Sequence, residues 1–494
     1  MKTKRDTGLI QDEPLIFEQG GEGRQGYSLP RWDVEEVEAE NVIPSQFLRK
    51  ELQGFPQLSE VDVVRHFTRL SQWNYGVDSG FYPLGSCTMK YNPKVNEEIA
   101  RLNGFALLHP YTPEDLCQEV LRLMVEFEGF LAEVTGMDRV TLQPAAGAQG
   151  EMTGIMMVKA CLEARGERRR KVLVPDTAHG TNCSTSTLAS FQMVEIKSNE
   201  RGVISPQKVA ELMNEEVAAI MVTNPNTLGL FEEHLKEVAE IVHGKGGFVY
   251  CDGANLNALM GIVKLGEIGV DVVHINLHKT FSTPHGGGGP GAGPVAVKKE
   301  LAPYLPVPVI EKEGETFRFN HDRPESIGKV KAFYGNFGVI LKAYAYALSM
   351  GPEGLRRASE MAVLNANYLM KRLKDHYDLP FDRPCMHECV FTDRLQEKYH
   401  VSTLDIAKRL IDYGFHPPTI YFPLVVKGAL MIEPTETESR ENLDQFVETM
   451  VAIAKEAEEN PDLLRQAPRR VKVRRLDEVL AARNPKLRWT KRDQ

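Results

Sequence analysis

Five short apolar runs rich in β-branched residues, each closed by small or polar residues and followed by a helical stretch, limit the folds open to residues 139–275. They are Val140-Thr141-Leu142, Val172-Leu173-Val174, Ala219-Ile220-Met221-Val222, Phe248-Val249-Tyr250 and Val272-Val273-His274-Ile275. A strand buried on both faces reads as a nearly continuous apolar run, and parallel strands need a crossover of about a dozen residues or more between them. The alternation therefore predicts an α/β fold, a mostly parallel sheet with helices on both faces. In such sheets ligands sit at the carboxyl ends of the strands. The residues just after each run are accordingly the candidates for chemistry.

The 494 residues are 42% hydrophobic and 26% charged, which supports a large core and excludes disorder, a collagen repeat or a disulfide scaffold for the whole. Lys plus Arg number 59 against 68 Asp plus Glu, a net charge of -9 that argues against broad binding to nucleic acid or anionic membranes. The cysteines at 87, 117, 161, 183, 251, 385 and 389 show no paired framework. They predict a reducing compartment, with each thiol serving as a small buried hydrophobe. The polar N-terminus, with Asp6, Asp12 and Glu13, lacks the apolar segment of a secretory signal, and no charge-free stretch is long enough for a membrane span. The expected location is the cytoplasm.

Residues 1–85, rich in Gly, Gln and Glu with one short amphipathic run from Val61 to Leu70, read as an N-terminal arm. Residues 86–335 hold the five runs and form the expected large ligand-binding domain. Residues 336–465 read as a smaller α+β domain with strand-like Cys389-Val390-Phe391 and Leu430-Met431-Ile432. One helix face runs through Phe337, Ile340, Leu341, Tyr344 and Leu348 to an end near Gly351-Pro352. A second helix, between Ser402 and Gly414, places Leu404, Ala407, Leu410 and Ile411 inside, and a third places Leu443, Phe446, Val447, Met450, Ile453 and Ala457 inside. Residues 466–494 form a basic tail with Arg469, Arg470, Lys472, Arg474, Arg475, Lys486, Arg488, Lys491 and Arg492, which reads as a solvated tail or a subunit contact.

The sharpest chemical feature follows the fifth run, Asn276-Leu277-His278-Lys279-Thr280. Lys279 lies where a strand opens onto the ligand crevice, and desolvation there frees an amine for Schiff-base chemistry. An ordinary lysine at a strand end would look the same by itself. Asp252 shifts that balance, because it ends the preceding strand and lies 27 residues before Lys279 (279 minus 252), a spacing that fits one helical crossover. A buried carboxylate near such a lysine can keep a pyridine nitrogen protonated, the arrangement that makes pyridoxal phosphate an electron sink. In Asp176-Thr177-Ala178-His179-Gly180-Thr181, His179 follows another strand and can stack on a planar ring or guide protons at its edge. The first strand leads into Gln143-Pro144-Ala145-Ala146-Gly147-Ala148-Gln149-Gly150-Glu151, whose exposed N–H groups at a helix start suit a phosphate as readily as they suit a tight turn.

The run His285-Gly286-Gly287-Gly288-Gly289-Pro290-Gly291 precedes the strand-like Pro294-Val295-Ala296-Val297 and contains no Gly-Lys-Ser/Thr, so neither a P-loop nor a Rossmann reading holds. Its glycines instead allow close backbone approach beside the lysine. Cys385, His387 and Cys389 lack the second Cys/His cluster that would complete a ligand set, so no metal site is expected.

The constellation of Lys279, Asp252 and His179 resembles the pyridoxal-phosphate enzymes of aspartate aminotransferase-like fold, fold type I. More narrowly, Asn276 to Phe281 with Pro284-His285 and the glycine run is similar to the P-protein family of the glycine cleavage system, the glycine dehydrogenases (decarboxylating). So are Pro83-Leu84-Gly85-Ser86-Cys87-Thr88-Met89-Lys90, Ala178-His179-Gly180-Thr181-Asn182, Tyr413-Gly414-Phe415-His416 and Glu433-Pro434-Thr435-Glu436. The similarity runs from about Ser79 to Glu436. Many members are single chains of two homologous halves, and this chain resembles only the lysine-bearing second half, as subunit 2 of the split form does.

The resemblance implies decarboxylation of glycine, transfer of the aminomethyl group to the lipoyl-lysine of the H-protein, and release of carbon dioxide. It implies pyridoxal 5'-phosphate held covalently on Lys279, with Asp252 keeping the ring nitrogen protonated, His179 stacked over the ring and Ala254 against its other face. Ala148 and Gln149 would bind the phosphate through their backbone, His278 and Thr280 would neighbour the cofactor, and Ser86 and Thr88 would reach the site at the subunit interface. The implied partner is a separate subunit 1, with two copies of each subunit. No group is assigned to the substrate carboxylate; Arg318 and Arg323 are visible candidates, each as readily an ordinary ion-pair residue. Two other readings stay open: a glutamate-type or aromatic amino-acid decarboxylase of the same fold, and a non-catalytic scaffolding subunit, against which the retained Lys279 speaks.

Overall fold

The central apolar runs form strands because residues buried on both faces exclude any amphipathic alternative. The computed structural model describes residues 13–49, 54–286 and 291–489, and it divides into two units, Gly80–Arg474 and Met1–Ser79 with Arg475–Gln494. In the larger unit the strands are β1 (Arg139–Thr141), β2 (Lys171–Pro175), β3 (Gln192–Ile196), β4 (Val217–Thr223), β5 (Phe248–Asp252), β6 (Val272–His274) and β7 (Val295–Val297). Their order is β1-β7-β6-β5-β4-β2-β3, and only β7 runs antiparallel to its neighbours. Every residue of β4 is buried. Its side chains alternate between two apolar clusters, Ile220 and Val222 with Val249 and Val273, and Ala219 and Met221 with Tyr250 and Val272. The edge strand β3 shows no apolar run, because Gln192, Met193 and Glu195 are exposed.

Three helices place residues at the carboxyl edge of this sheet: α1 (Gly147–Ala164) after β1, α2 (Gly180–Leu188) after β2, and the single turn α3 (Leu277–Thr280) after β6. A hairpin of β8 (Val309–Glu313) and β9 (Thr316–Asn320) follows, unforeseen in the sequence because only Val309, Ile310 and Phe317 of it are buried. The long helix α4 (Phe337–Leu373) does not end at Gly351; it kinks there, with Gly351 at φ 61, and resumes through Pro352. Proline suits a first helical turn, where its missing N–H has no partner to lose. Leu348, expected inside, is 66% exposed in the last turn before the kink.

Strands β10 (Cys389–Thr392), β11 (Thr419–Ile420) and β12 (Ala429–Ile432) form a second, antiparallel sheet in the order β10-β12-β11. Helix α5 (Thr403–Asp412) starts on a Ser402–Asp405 capping box and buries Ile406, Ala407 and Leu410, while Leu404 and Ile411 are only half-buried. Helix α6 (Arg440–Glu459) buries the six residues read from its periodicity, Leu443, Phe446, Val447, Met450, Ile453 and Ala457. The basic tail begins docked, since the N–H groups of Arg469 and Arg470 donate to Asp412 Oδ1 at 2.6 and 2.8 Å. Lys491 and Arg492 lie outside the described residues, as do Asp6 and Asp12.

The smaller unit contains the helix Glu60–Ser71, opened by a Ser59–Asp62 capping box. Glu13 pairs with Arg69 and contacts His66 Nδ1 at 2.8 Å, and Phe17 stacks on Trp489 at 5.1 Å. Tyr27, Leu29, Trp32, Phe47 and Phe55 are each at least 70% exposed. Among the described residues no helix is long and apolar enough to cross a membrane.

Candidate active site

Strand register sets the first groups. Thr223 pairs with Asp252 and Asp252 with His274, so three polar residues lie side by side where β4, β5 and β6 end. Asp252 is buried; its Oδ1 accepts from the Ala254 N–H at 2.9 Å and lies 3.3 Å from His274 Nε2. The Tyr250 hydroxyl meets His274 Nδ1 at 2.6 Å, and a hydroxyl donating there leaves the ring proton on Nε2, toward Asp252. Burial alone would raise the Asp252 pKa, but His274, His179, the Ala254 N–H and Lys279 outweigh it and hold the carboxyl below its ordinary value. The result is an ionised acid away from water, as holding a proton on a ring nitrogen requires.

Strand β6 passes through Asn276 directly into α3. Lys279 is 8% exposed, and its amine donates to the Ser86 carbonyl at 2.7 Å. Beside it, His278 Nδ1 and Thr280 Oγ1 are buried without a hydrogen-bond partner among the described residues. Burial, then the charges of His285 and Lys279, push His278 down to about 3, and burial with Lys279 pushes His285 down to about 4. Both imidazoles are therefore neutral at pH 7. A Cβ on Gly291 would stand 2.1 Å from His278 Nδ1, so glycine is required where the backbone passes the lysine turn. Residues 287–290 of the glycine run lie outside the described residues.

The start of α1 faces no side-chain cap, because Ala146 precedes it. The N–H groups of Gly147, Ala148 and Gln149 are thus left for another acceptor, and the helix dipole favours an anion. Ala148 is exposed and Gln149 half-buried. The Gln149 amide is committed to its own loop: Oε1 accepts from the Ala145 N–H at 2.6 Å and Nε2 donates to the Val330 carbonyl. A Cβ on Gly147 would lie 2.4 Å from Asn276 Oδ1, so glycine lets this helix start rest against the residue that opens α3. His179 caps α2, and its N–H donates to Thr223 Oγ1 at 2.9 Å. Burial lowers its pKa despite the pull of Asp252.

A segment from the other side of the unit closes the group. Ser86 and Thr88 adopt φ of 65 and 46, a region that disfavours side-chain-bearing residues. Carboxylates near the second sheet hold them there. The Ser86 N–H donates to Glu388 Oε2 at 2.7 Å, and the Thr88 N–H and hydroxyl donate to Glu433 at 3.0 and 2.5 Å. The buried Lys90 amine then reaches Asn257 Oδ1 at 2.7 Å, the Thr280 carbonyl at 2.8 Å and Glu436 Oε1 at 2.7 Å. Ser86 therefore meets Lys279 within one chain, through its carbonyl, and the Thr88 side chain is committed to Glu433.

Residues 29–316 match the family model for the glycine cleavage system P-protein, and residues 358–469 match that for the glycine dehydrogenase C-terminal domain. A probable glycine dehydrogenase (decarboxylating) subunit 2 of Caldanaerobacter subterraneus is 60% identical over 484 residues, 98% of this chain and 100% of the relative. One of the same description from Bacillus cereus is 59% identical over 482 residues, 97% of this chain and 98% of the relative. The chain belongs to the glycine cleavage system P-protein family. A solved glycine decarboxylase (P-protein) of the glycine cleavage system, in inhibitor-bound form, aligns with a TM-score of 0.71 at 21% identity, over 84% of this chain and 94% of that one. A cysteine desulfurase from Thermococcus onnurineus aligns with a TM-score of 0.60 at 16% identity, over 76% of this chain and 95% of that one. The aspartate aminotransferase-like fold expected from the sequence is borne out.

In this member of the P-protein family, Lys279, Asp252, His179, Ala254, His278, Thr280 and the Ser86 carbonyl gather at the carboxyl edge, with the Ala148 and Gln149 backbone at the start of α1. The set fits pyridoxal phosphate: an uncapped helix start, a buried ionised carboxylate, a buried amine and a Thr280 hydroxyl without a partner among the described residues. Arg318 and Arg323 serve the hairpin instead. Arg318 lies 3.5 Å from Glu313; Arg323 lies 3.3 Å from Glu311 and donates to the Ala302 carbonyl at 2.7 Å. Cys385 and Cys389 are buried free thiols. Sequence reasoning passed over His274, although it ends its strand as Asp252 does, and Glu151, an acid on the mostly buried first turns of α1. Lys90 and Glu433 lie inside the quoted motifs, but only the fold shows what they bind.

Proposed function

We propose that this chain is the catalytic subunit 2 of a cytoplasmic glycine dehydrogenase (decarboxylating). It takes pyridoxal 5'-phosphate covalently on Lys279, decarboxylates glycine and passes the aminomethyl group to the lipoyl-lysine of an H-protein. The reading is carried by the buried Lys279 amine in one group with the buried, ionised Asp252 at the strands' carboxyl ends. Bound there, the cofactor supplies a sink for the electron pair left when carbon dioxide departs. The N–H groups opening α1 would hold its phosphate, and Asp252 a proton on its ring nitrogen. Lys279 supplies the nucleophilic amine, oriented by the Ser86 carbonyl. Neutral His179 holds or moves a proton, and burial of Asp252, Thr280 and Lys279 keeps water from the place where charge develops.

A separate subunit 1, two copies with two of this chain, is the proposed partner. The exposed Tyr27, Leu29, Trp32, Phe47 and Phe55 are the kind of apolar surface a partner covers. Borohydride reduction after adding pyridoxal phosphate, followed by peptide mass mapping with and without subunit 1, tests the reading. A phosphopyridoxyl group on Lys279 is expected in the mixture. Its absence from both samples would refute the reading, and glycine-dependent carbon dioxide release that ignores a lipoylated carrier would favour another decarboxylase.

A further inference from the structure

Glu151, buried in the second turn of α1 at 2% exposure, has a carboxylate oxygen within 4.8 Å of both His179 and Asp252 and is linked to His179 through the Thr181 hydroxyl. Thr181 Oγ1 is hydrogen-bonded to Glu151 Oε1, and Thr185 Oγ1 donates to Oε2 at 3.2 Å. The same Thr181 oxygen lies 2.8 Å from His179 Nδ1, and the Thr181 backbone N–H donates to that nitrogen at 3.3 Å. Carboxyl, hydroxyl and imidazole thus form one line, and proton counting decides which patterns it permits.

Thr181 has one hydroxyl proton and a neutral imidazole has one N–H. With Glu151 protonated, its O–H donates to Thr181 Oγ1 and the Thr181 hydroxyl donates to His179 Nδ1. The Thr181 backbone N–H meets the same bare nitrogen, each donor between Glu151 and Nδ1 finds an acceptor, and the ring proton sits on Nε2. With Glu151 ionised, the Thr181 hydroxyl turns to the carboxylate and Nδ1 must carry the proton to meet Thr181 Oγ1. That N–H then opposes the Thr181 backbone N–H, and Nε2 becomes a bare acceptor.

We propose that Glu151 is a positioning residue: as a neutral acid it fixes His179 in the Nε2–H tautomer through the Thr181 hydroxyl, and its ionisation inverts that tautomer. The ring edge away from Thr181 is thereby a donor in one state and an acceptor in the other. The surroundings favour the neutral acid, since burial and the Asp252 charge push Glu151 up to about 8 against the Thr181 and Thr185 hydroxyls and Lys279. The other groups facing it are Tyr250 of β5 and Cys183 of α2, both pushed above their ordinary values, while Asp252 is held below its own and His179 below its own. Glu151 is therefore the carboxyl of this group that changes charge near pH 8.

The importance of this tautomer for catalysis rests on the proposed reading of the site, whereas the tautomer is measured on protein free of cofactor. Long-range 1H–15N spectra of histidine-labelled protein, with the His179 signals assigned from His179→Asn, show which ring nitrogen is protonated between about pH 6.5 and about 9.5. The expected result is Nε2–H at the low end, exchanging to Nδ1–H as pH rises. Glu151→Gln, whose amide donates to Thr181 but does not ionise, keeps Nε2–H throughout. Thr181→Val uncouples His179 from pH and Thr181→Ser restores the response. An Nδ1–H tautomer at neutral pH, or a pH response that survives in folded Glu151→Gln, would overturn the proposal.

Discussion

Single side chains at the strand ends divide the chemistry. Asp252 is ionised because its charged neighbours outweigh burial, and Tyr250 keeps the His274 proton turned toward it. Lys279 has its amine aimed at the Ser86 backbone carbonyl. Lys279→Ala is expected to reduce glycine decarboxylation by the assembled enzyme to background while subunit 1 still co-elutes on size exclusion. Activity comparable with the unmodified complex would exclude Lys279 from catalysis. Asp252→Asn keeps the shape but not the charge, so pyridoxal phosphate should still bind while turnover falls on the order of 10²-fold or more. Turnover at the ordinary rate in a variant shown spectroscopically to hold the cofactor would remove Asp252 from the mechanism.

Elements bring these side chains together through two close approaches. The start of α1 rests on Asn276, which opens α3, with no room for a Cβ at Gly147. Gly147→Ala is therefore expected to part the phosphate end from the lysine end and weaken cofactor binding by about tenfold or more, about 1.4 kcal/mol, in an absorbance titration. Unchanged affinity would mean that the two elements separate freely. The segment from Ser86 to Lys90 holds φ values costing on the order of 1–3 kcal/mol each, offset by bonds to Glu388, Glu433 and Glu436. Legibility differed between elements for the same physical reason. Helix α6 buries one face over about five turns and prints a 3.6-residue period, whereas the β8–β9 hairpin buries only Val309, Ile310 and Phe317, too short a pattern to stand out.

Over the whole molecule, buried acids and buried histidines pull stability in opposite directions with pH. Chiefly by burial, Glu128 and Glu151 are pushed up to about 8, and Glu232 and Glu433 to about 7, from an ordinary 4.5. A carboxyl raised on folding contributes stability fully below its ordinary value and loses it as pH climbs through the raised one. His278 and His387, pushed down to about 3, and His285, pushed down to about 4, contribute above their ordinary 6.5 and lose it as pH falls. Below 6.5 the two sets oppose; above it only the carboxyls still titrate. The melting temperature of cofactor-free protein is expected to fall between about pH 6.5 and about 8.5, and scanning calorimetry that finds it level or rising there would contradict this balance.

The parallel sheet, the two carboxyl-edge groups Lys279 and Asp252, and the candidate His179 were determined by the sequence alone, because each signal is local: an apolar run and the residues that end it. The same is true of the family resemblance, which short motifs carry. Tertiary structure alone decided that His274 supports Asp252, that Glu151 stands behind His179, and that the Ser86 carbonyl receives the Lys279 amine. Those contacts arise from strand order and from chain segments that return across long separations, 302 residues between Ser86 and Glu388. A contact across such a distance leaves no periodic trace, since what it requires of each residue is a polar atom in one place in space, which only the packed core can fix.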